Sequence, residues 1–211
     1  MEKDIKYRYN DLSERYHKMN CFYVIAACLI WTMYLVYLFL KLASKSIAPP
    51  TAYGNITLII MFFAMNLFIY LRNKTSHRLK TVISVEIGLE FLLLGMQTNA
   101  DFLFFTALGI LILQIPYYDH KAYRSTCIAY SIITTLILVI RLIKMPEIAD
   151  VDFVCRYIAS YILYYVLCHI SYTAKLFSDD ALNAAKEKSE LQKSMLEKVL
   201  DICRTFFMLK K

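Results

Sequence analysis

The sequence predicts an all-α fold: a polytopic membrane bundle of six transmembrane helices followed by a cytoplasmic amphipathic, coiled-coil helix. Three observations carry that expectation. Of the 211 residues, 59% are hydrophobic and the mean hydropathy is +0.47, whereas a soluble domain holds about 45–50% apolar residues. The apolar residues fall in six runs parted by short polar loops, and crossing the hydrocarbon layer takes roughly 20 residues. At Ser178 the composition changes abruptly to a run rich in Ala, Leu, Glu, Lys and Gln, all good helix formers.

Residues 1–18 (MEKDIKYRYNDLSERYHK) are too charged for a secretory signal and read as a short cytoplasmic segment. Residues 19–176 read as the bundle, with spans at 19–40, 53–71, 81–97, 102–116, 125–143 and 151–176. The third and fourth are short and parted only by residues 98–101, so they read as a hairpin. Pro49 and Pro50 mark the turn between the first two spans, and Pro146 the turn before the last. No outer loop is long enough to fold into a domain. An Asn55-Ile56-Thr57 sequon lies at a span start and carries no meaning for glycosylation there.

Charge placement sets the orientation. The net charge is +7, and the basic residues lie between apolar runs, as the positive-inside rule requires. With the first segment inside, the cytoplasmic side holds Lys18, Arg72, Lys74, Arg78, Lys80, Lys121 and Arg124, and the outer loops hold Lys41, Lys45, Arg141 and Lys144. The expectation is a multi-pass protein of the cell membrane with both termini cytoplasmic, the lipid bilayer as partner and no nucleic acid. The six cysteines form no CxxC and mostly sit in apolar runs, so they read as small buried hydrophobes rather than a disulfide or zinc framework. No metal and no cofactor are expected.

Ionisable groups within the spans are the candidate site. Glu86 and Glu90 are spaced i, i+4 and share a helix face, which Gln97 continues. A carboxylate in hydrocarbon costs at least a few kcal/mol unless protonated, paired or hydrated, so both should point into the bundle. Counted by depth, Glu86 and Asn66 lie about 9 Å from the cytoplasmic boundary and His169 about 10 Å, and Asp101 and Arg156 meet at the outer end. The sixth span carries a polar stripe that includes Tyr157, Ser160, Tyr161, Tyr164 and Cys168, which should face other helices. Two readings stand: a polar network that holds helices together, or a ligand or proton site between the third and sixth spans.

Residues 177–211 read as a signalling and dimerisation helix. Leu182, Ala185, Ser189, Gln192, Leu196, Val199, Cys203 and Phe206 step by three and four, a heptad seam with polar layers. Leu182, Ala185, Leu196, Val199 and Phe206 are the candidate contacts of a homodimer. An amphipathic helix lying on the membrane is the plainer alternative. The apolar pattern still runs at Lys211, with no Gly cap or Pro stop, which reads as a longer protein cut at that point.

Short-looped spans followed by KSELQKSMLEKVLDICRT resemble the sensory front end of bacterial receptors. The tail most resembles the entry to the cytoplasmic part of clostridial-type methyl-accepting chemotaxis proteins, with polytopic sensor histidine kinases a second similar group. The resemblance covers about the last 30 residues. It implies a dimer feeding a four-helix cytoplasmic bundle that controls a kinase complex, were the chain to continue. The function expected is therefore a membrane-embedded sensor and not an enzyme. The alternative is a small transporter or intramembrane enzyme using Glu86 and Glu90. No inverted repeat, Ser/His/Asp set, HExxH or phosphate loop supports that alternative.

Overall fold

The computed structural model describes residues 12–98, 100, 102–144 and 151–208, with side chains from 13 to 202. Those residues form helices and turns, with no strand among them. The helices are α1 (Leu12–Ala43), α2 (Pro49–Arg72), α3 (Leu79–Gln97), α4 (Phe102–Gln114), α5 (His120–Lys144) and α6 (Val151–Met208), with a 3-10 turn (Ile115–Tyr117) after α4. Four are long and apolar enough to cross a membrane: α1, α2, α5 and α6. In their apolar stretches only 22–33% of residues are buried in the bundle, so most apolar side chains face outwards, as lipid contact requires. Leu29, Phe39, Phe68 and Ile143 are examples.

Local chemistry fixes the element ends. Pro49 and Pro50 occupy the first turn of α2, where a missing N–H costs nothing. The end of α1 closes with Ser46 N–H on Lys41 O (2.9 Å) and Lys45 N–H on Leu42 O (3.1 Å). That is a Schellman closure with Lys45, at φ 55°, in the left-handed place that glycine usually takes. Asp119 caps α5, its Oδ1 accepting from Ala122 N–H at 3.2 Å. Helix α1 begins at Leu12, ahead of the expected boundary at residue 19.

The short connections make consecutive helices antiparallel. At the near end, where α1 begins, lie the α2–α3 loop, the 3-10 turn and the exit of α6. Asn20 of α1 holds the α2–α3 loop there, donating to Lys74 O (2.9 Å) and Ser76 O (3.0 Å). Helix α3 is central and packs on α1, α2, α4 and α5. It buries 11 of its 19 residues. This explains why α3 carries Lys80, Glu86 and Glu90 where the outer helices carry Leu and Ile. Helix α6 lies on the opposite flank from α2, against α5, α4 and the 3-10 turn.

Helices α3 and α5 approach closely at Gly95. A Cβ there would sit 2.6 Å from Ile137 Cδ1 and 3.1 Å from its Cγ1. Gly95→Leu is therefore expected to cost about 3 kcal/mol through overpacking. Adding Ile137→Ala to that variant should recover part of the loss. Thermal unfolding in detergent measures both.

Helix α6 runs unbroken for 58 residues, about 87 Å at ~1.5 Å per residue. It continues through Ser178, Asp179 and Asp180 without a break in the helix. From Ala181 to Ile202 every residue is exposed.

Candidate functional site

The residues singled out from sequence fall into three separate places. In the middle of the bundle, Glu86 and Glu90 of α3 are 2% and 0% exposed. Asn66 of α2, itself buried, donates from Nδ2 to Glu86 Oε2 at 2.6 Å. Among the described residues, the other Glu86 oxygen, Asn66 Oδ1 and both Glu90 oxygens have no hydrogen-bond partner. An unpaired ionised carboxylate is expensive in such surroundings.

Gln97 does not join that group. It sits exposed at the far end of α3 and accepts from Asn55 Nδ2 at 2.7 Å. Asn55, the sequon residue, is buried in this contact. The far end is tied further by Arg141 of α5, whose Nε donates to Gly95 O at 2.9 Å and whose Nη2 donates to Thr98 O. Arg156 is partly buried on α6, one turn before Ser160, whose hydroxyl bonds its carbonyl at 2.9 Å. Its expected partner Asp101 lies outside the described residues.

The third place is the α5–α6 contact. Tyr164 is buried and its hydroxyl meets Thr134 Oγ1 at 3.1 Å, while Tyr161 meets Thr135 Oγ1 at 2.7 Å. Tyr157, Ser160 and Ser171 on the same face are buried too. His169 corrects the depth argument. It is exposed, stacked edge-on to Tyr165 at 4.6 Å, on the outer side of α6. The buried face runs through Tyr164, Leu167 and Ser171, and His169 lies two residues past Leu167, close to the opposite side at about 100° per residue. Equal depth therefore does not make it a partner of Glu86. Tyr172, at the end of the stripe, is exposed as well.

Sequence reading missed a polar cluster at the near end. Lys80, counted there as a loop cation, is buried in the first turn of α3. Its ammonium donates to Asp119 Oδ2 at 2.7 Å. It also lies 5.5 Å from the Tyr16 ring centre and 5.2 Å from that of Tyr117, within cation–π range. Above it, Ser84 Oγ donates to Lys80 O (2.8 Å), Tyr130 OH to Ser84 O (2.9 Å), and Gln114 Nε2 to both Ser84 Oγ and Tyr23 OH. Tyr117 OH donates to Asn20 Oδ1 at 2.8 Å. The available signal was Ser84 one turn beyond Lys80 on a helix already marked by Glu86 and Glu90.

The proposed dimer contacts Leu182, Ala185, Leu196 and Val199 are all exposed on α6, and the Phe206 side chain lies outside the described residues. Among the described residues no group of His, Cys, Asp and Glu is placed to hold a metal ion. No family model, no curated protein and no solved structure matches the chain.

Proposed function

We propose that the protein is a membrane-embedded sensor whose last helix carries a conformational change out of the bilayer to a helical partner. One observation carries the reading: α6 is a single unbroken helix, packed on α4 and α5 in one part and exposed on every side from Ala181 to Ile202. A stiff rod anchored in a bundle moves at its free part when its anchored part tilts, turns or slides. The exposed part shows Leu191, Met195, Leu196, Val199 and Ile202 to its surroundings, which fits a second copy of the same helix. In this reading α3 and α4 cross the bilayer with the other four helices, shielded by them. The near end, with Arg72, Lys74, Arg78, Lys121 and Arg124, faces the cytoplasm of a multi-pass cell-membrane protein. If the chain continues, the output partner is a signalling kinase complex of the kind controlled by the chemotaxis receptors that the tail resembles.

The test is cysteine cross-linking in membranes. Leu196→Cys and Val199→Cys are expected to give disulfide-linked dimers, and Glu197→Cys and Lys198→Cys to give few. The rate at position 199 should change with bilayer thickness. Replacing Ser178, Asp179 and Asp180 by glycines should abolish that change while the bundle stays folded. Monomer at all four positions, or a rate indifferent to the bilayer, would overturn the sensor reading. Proton-linked transport is the second reading, favoured by the unpartnered oxygens of Glu90; proton uptake into vesicles that is lost in Glu90→Gln would establish it instead.

A further inference from the structure

A groove of about 600 Å³ lies on the outer surface between α5 and α6. Both helices are among those long and apolar enough to cross a membrane, so hydrocarbon chains must fill the groove if they do. Its polar demands are unevenly distributed. Along the floor, Ser131 donates to Cys127 O (2.9 Å), Thr135 to Ser131 O (2.8 Å), and Tyr161 and Tyr164 are each paired with a threonine. The walls are Ile128, Ile132 and the Tyr165 ring. An apolar chain therefore covers no unmet polar group there.

The near-end mouth is different. His120 and Arg124, at the start of α5, line the groove there, His169 lines it from α6, and no carboxylate is among the described lining residues. Arg124 is exposed. His120 packs edge-on against Tyr172 at 5.2 Å, and its Nδ1 is buried with no hydrogen-bond partner among the described residues. Arg124 and His120 lie in the first two turns of α5, which is headgroup depth for a helix entering the bilayer there. From Arg124 to Thr135 the groove runs about 16 Å along α5, a path suited to one acyl chain. Arginine is well matched to phosphate because its N–H donors form a planar fork.

We propose that this groove is a binding site for one anionic phospholipid, with the headgroup phosphate on Arg124 and His120 and an acyl chain laid over the Ile128–Ile132 wall to Thr135. The proposal depends on α5 and α6 crossing the bilayer, and not on the sensor reading: bound lipid is measured without reference to α6 output.

The probe is phosphatidylglycerol. Protein in mixed phosphatidylcholine–phosphatidylglycerol nanodiscs is released into detergent and its retained lipid counted by native mass spectrometry. One phosphatidylglycerol should stay bound, in preference to phosphatidylcholine. Arg124→Gln, at an exposed position, should lower retention about tenfold, the loss expected for one charge-assisted contact. Ser131→Phe, which fills the floor and leaves the mouth, should lower it as well. Equal retention of both lipids, unchanged retention in Arg124→Gln, or displacement of the lipid by millimolar inorganic phosphate would each overturn the site. Loss of retention in Ser131→Phe with a normal thermal unfolding curve separates a blocked groove from a misfolded bundle.

Discussion

Asp119→Ala is expected to destabilise the bundle by about 3 kcal/mol, the low end of what breaking a buried pair costs. The reason is what it leaves behind. The Lys80 side chain is 6% exposed, and Asp119 is its only carboxylate within salt-bridge distance among the described residues. Without it, the ammonium keeps only the Tyr16 hydroxyl at 3.5 Å and the two ring faces. Asp119 itself is 40% exposed, so water reaches one side of the pair and the cost stays below that of a fully enclosed one. Asp119→Asn should cost less than Asp119→Ala, because Asn still caps α5 and still accepts from Lys80. Lys80→Met should be milder again, since it removes the buried charge and leaves a carboxylate that water can reach. Thermal unfolding of the three variants in detergent tests the order.

The same pair gives a pH dependence. Burial pushes the Asp119 carboxyl up, but the Lys80 hydrogen bond, the Ala122 N–H and the charges of Lys80 and Lys175 outweigh it and hold the group below its ordinary 3.8. A lowered folded value means that folding favours the ionised form. That contribution is fully present above the unfolded value and is lost as pH falls through the folded one. Acid destabilisation below about pH 4 should therefore be smaller in Asp119→Asn than in the parent protein.

Glu90→Leu is expected to stabilise the bundle by about 1–3 kcal/mol, the cost of burying a polar group without a hydrogen bond. Glu90 is fully buried and neither oxygen has a partner among the described residues, so the substitution removes an unmet polar demand and breaks no bond described there. Glu86→Leu should have the opposite sign and cost about 1–3 kcal/mol, because it strips Asn66 Nδ2 of its acceptor. Two carboxylates one turn apart on α3 would then differ in sign, which thermal unfolding in detergent resolves. Equal destabilisation by both would show that Glu90 has a partner in the membrane. If Glu90→Leu is more stable yet its cross-linking at position 199 no longer follows bilayer thickness, Glu90 serves the response at the expense of stability.

These expectations show what could be read from the chain. The helices follow from runs of apolar residues and proline turns; each of the six predicted runs falls on helical structure, and four of those helices are long and apolar enough to cross a membrane. The inward placement of Glu86 and Glu90 follows from their spacing and from the cost of putting charge in hydrocarbon. Lys80 was hidden because a lysine beside a turn looks like an ordinary loop charge, and Asp119 lies 39 residues away. His169 was misplaced because depth is one coordinate and rotation about α6 is another. A one-residue shift in the assumed contact face turns a helical side chain by about 100°. Leu182, Leu196 and Val199 could be marked as a seam, but a single chain holds nothing to occupy it.

The bare stretch of α6 continues a helix that is already formed in its packed part. A peptide cut from it would have to nucleate a first turn, a step disfavoured by a factor of about 1,000. It would also lose the confinement to a plane that brings identical segments together at high local concentration. In the proposed sensor, embedded neighbours would continue the helix into water already wound and hold it near others of its kind, so a seam too weak to assemble in free solution could still close above a membrane.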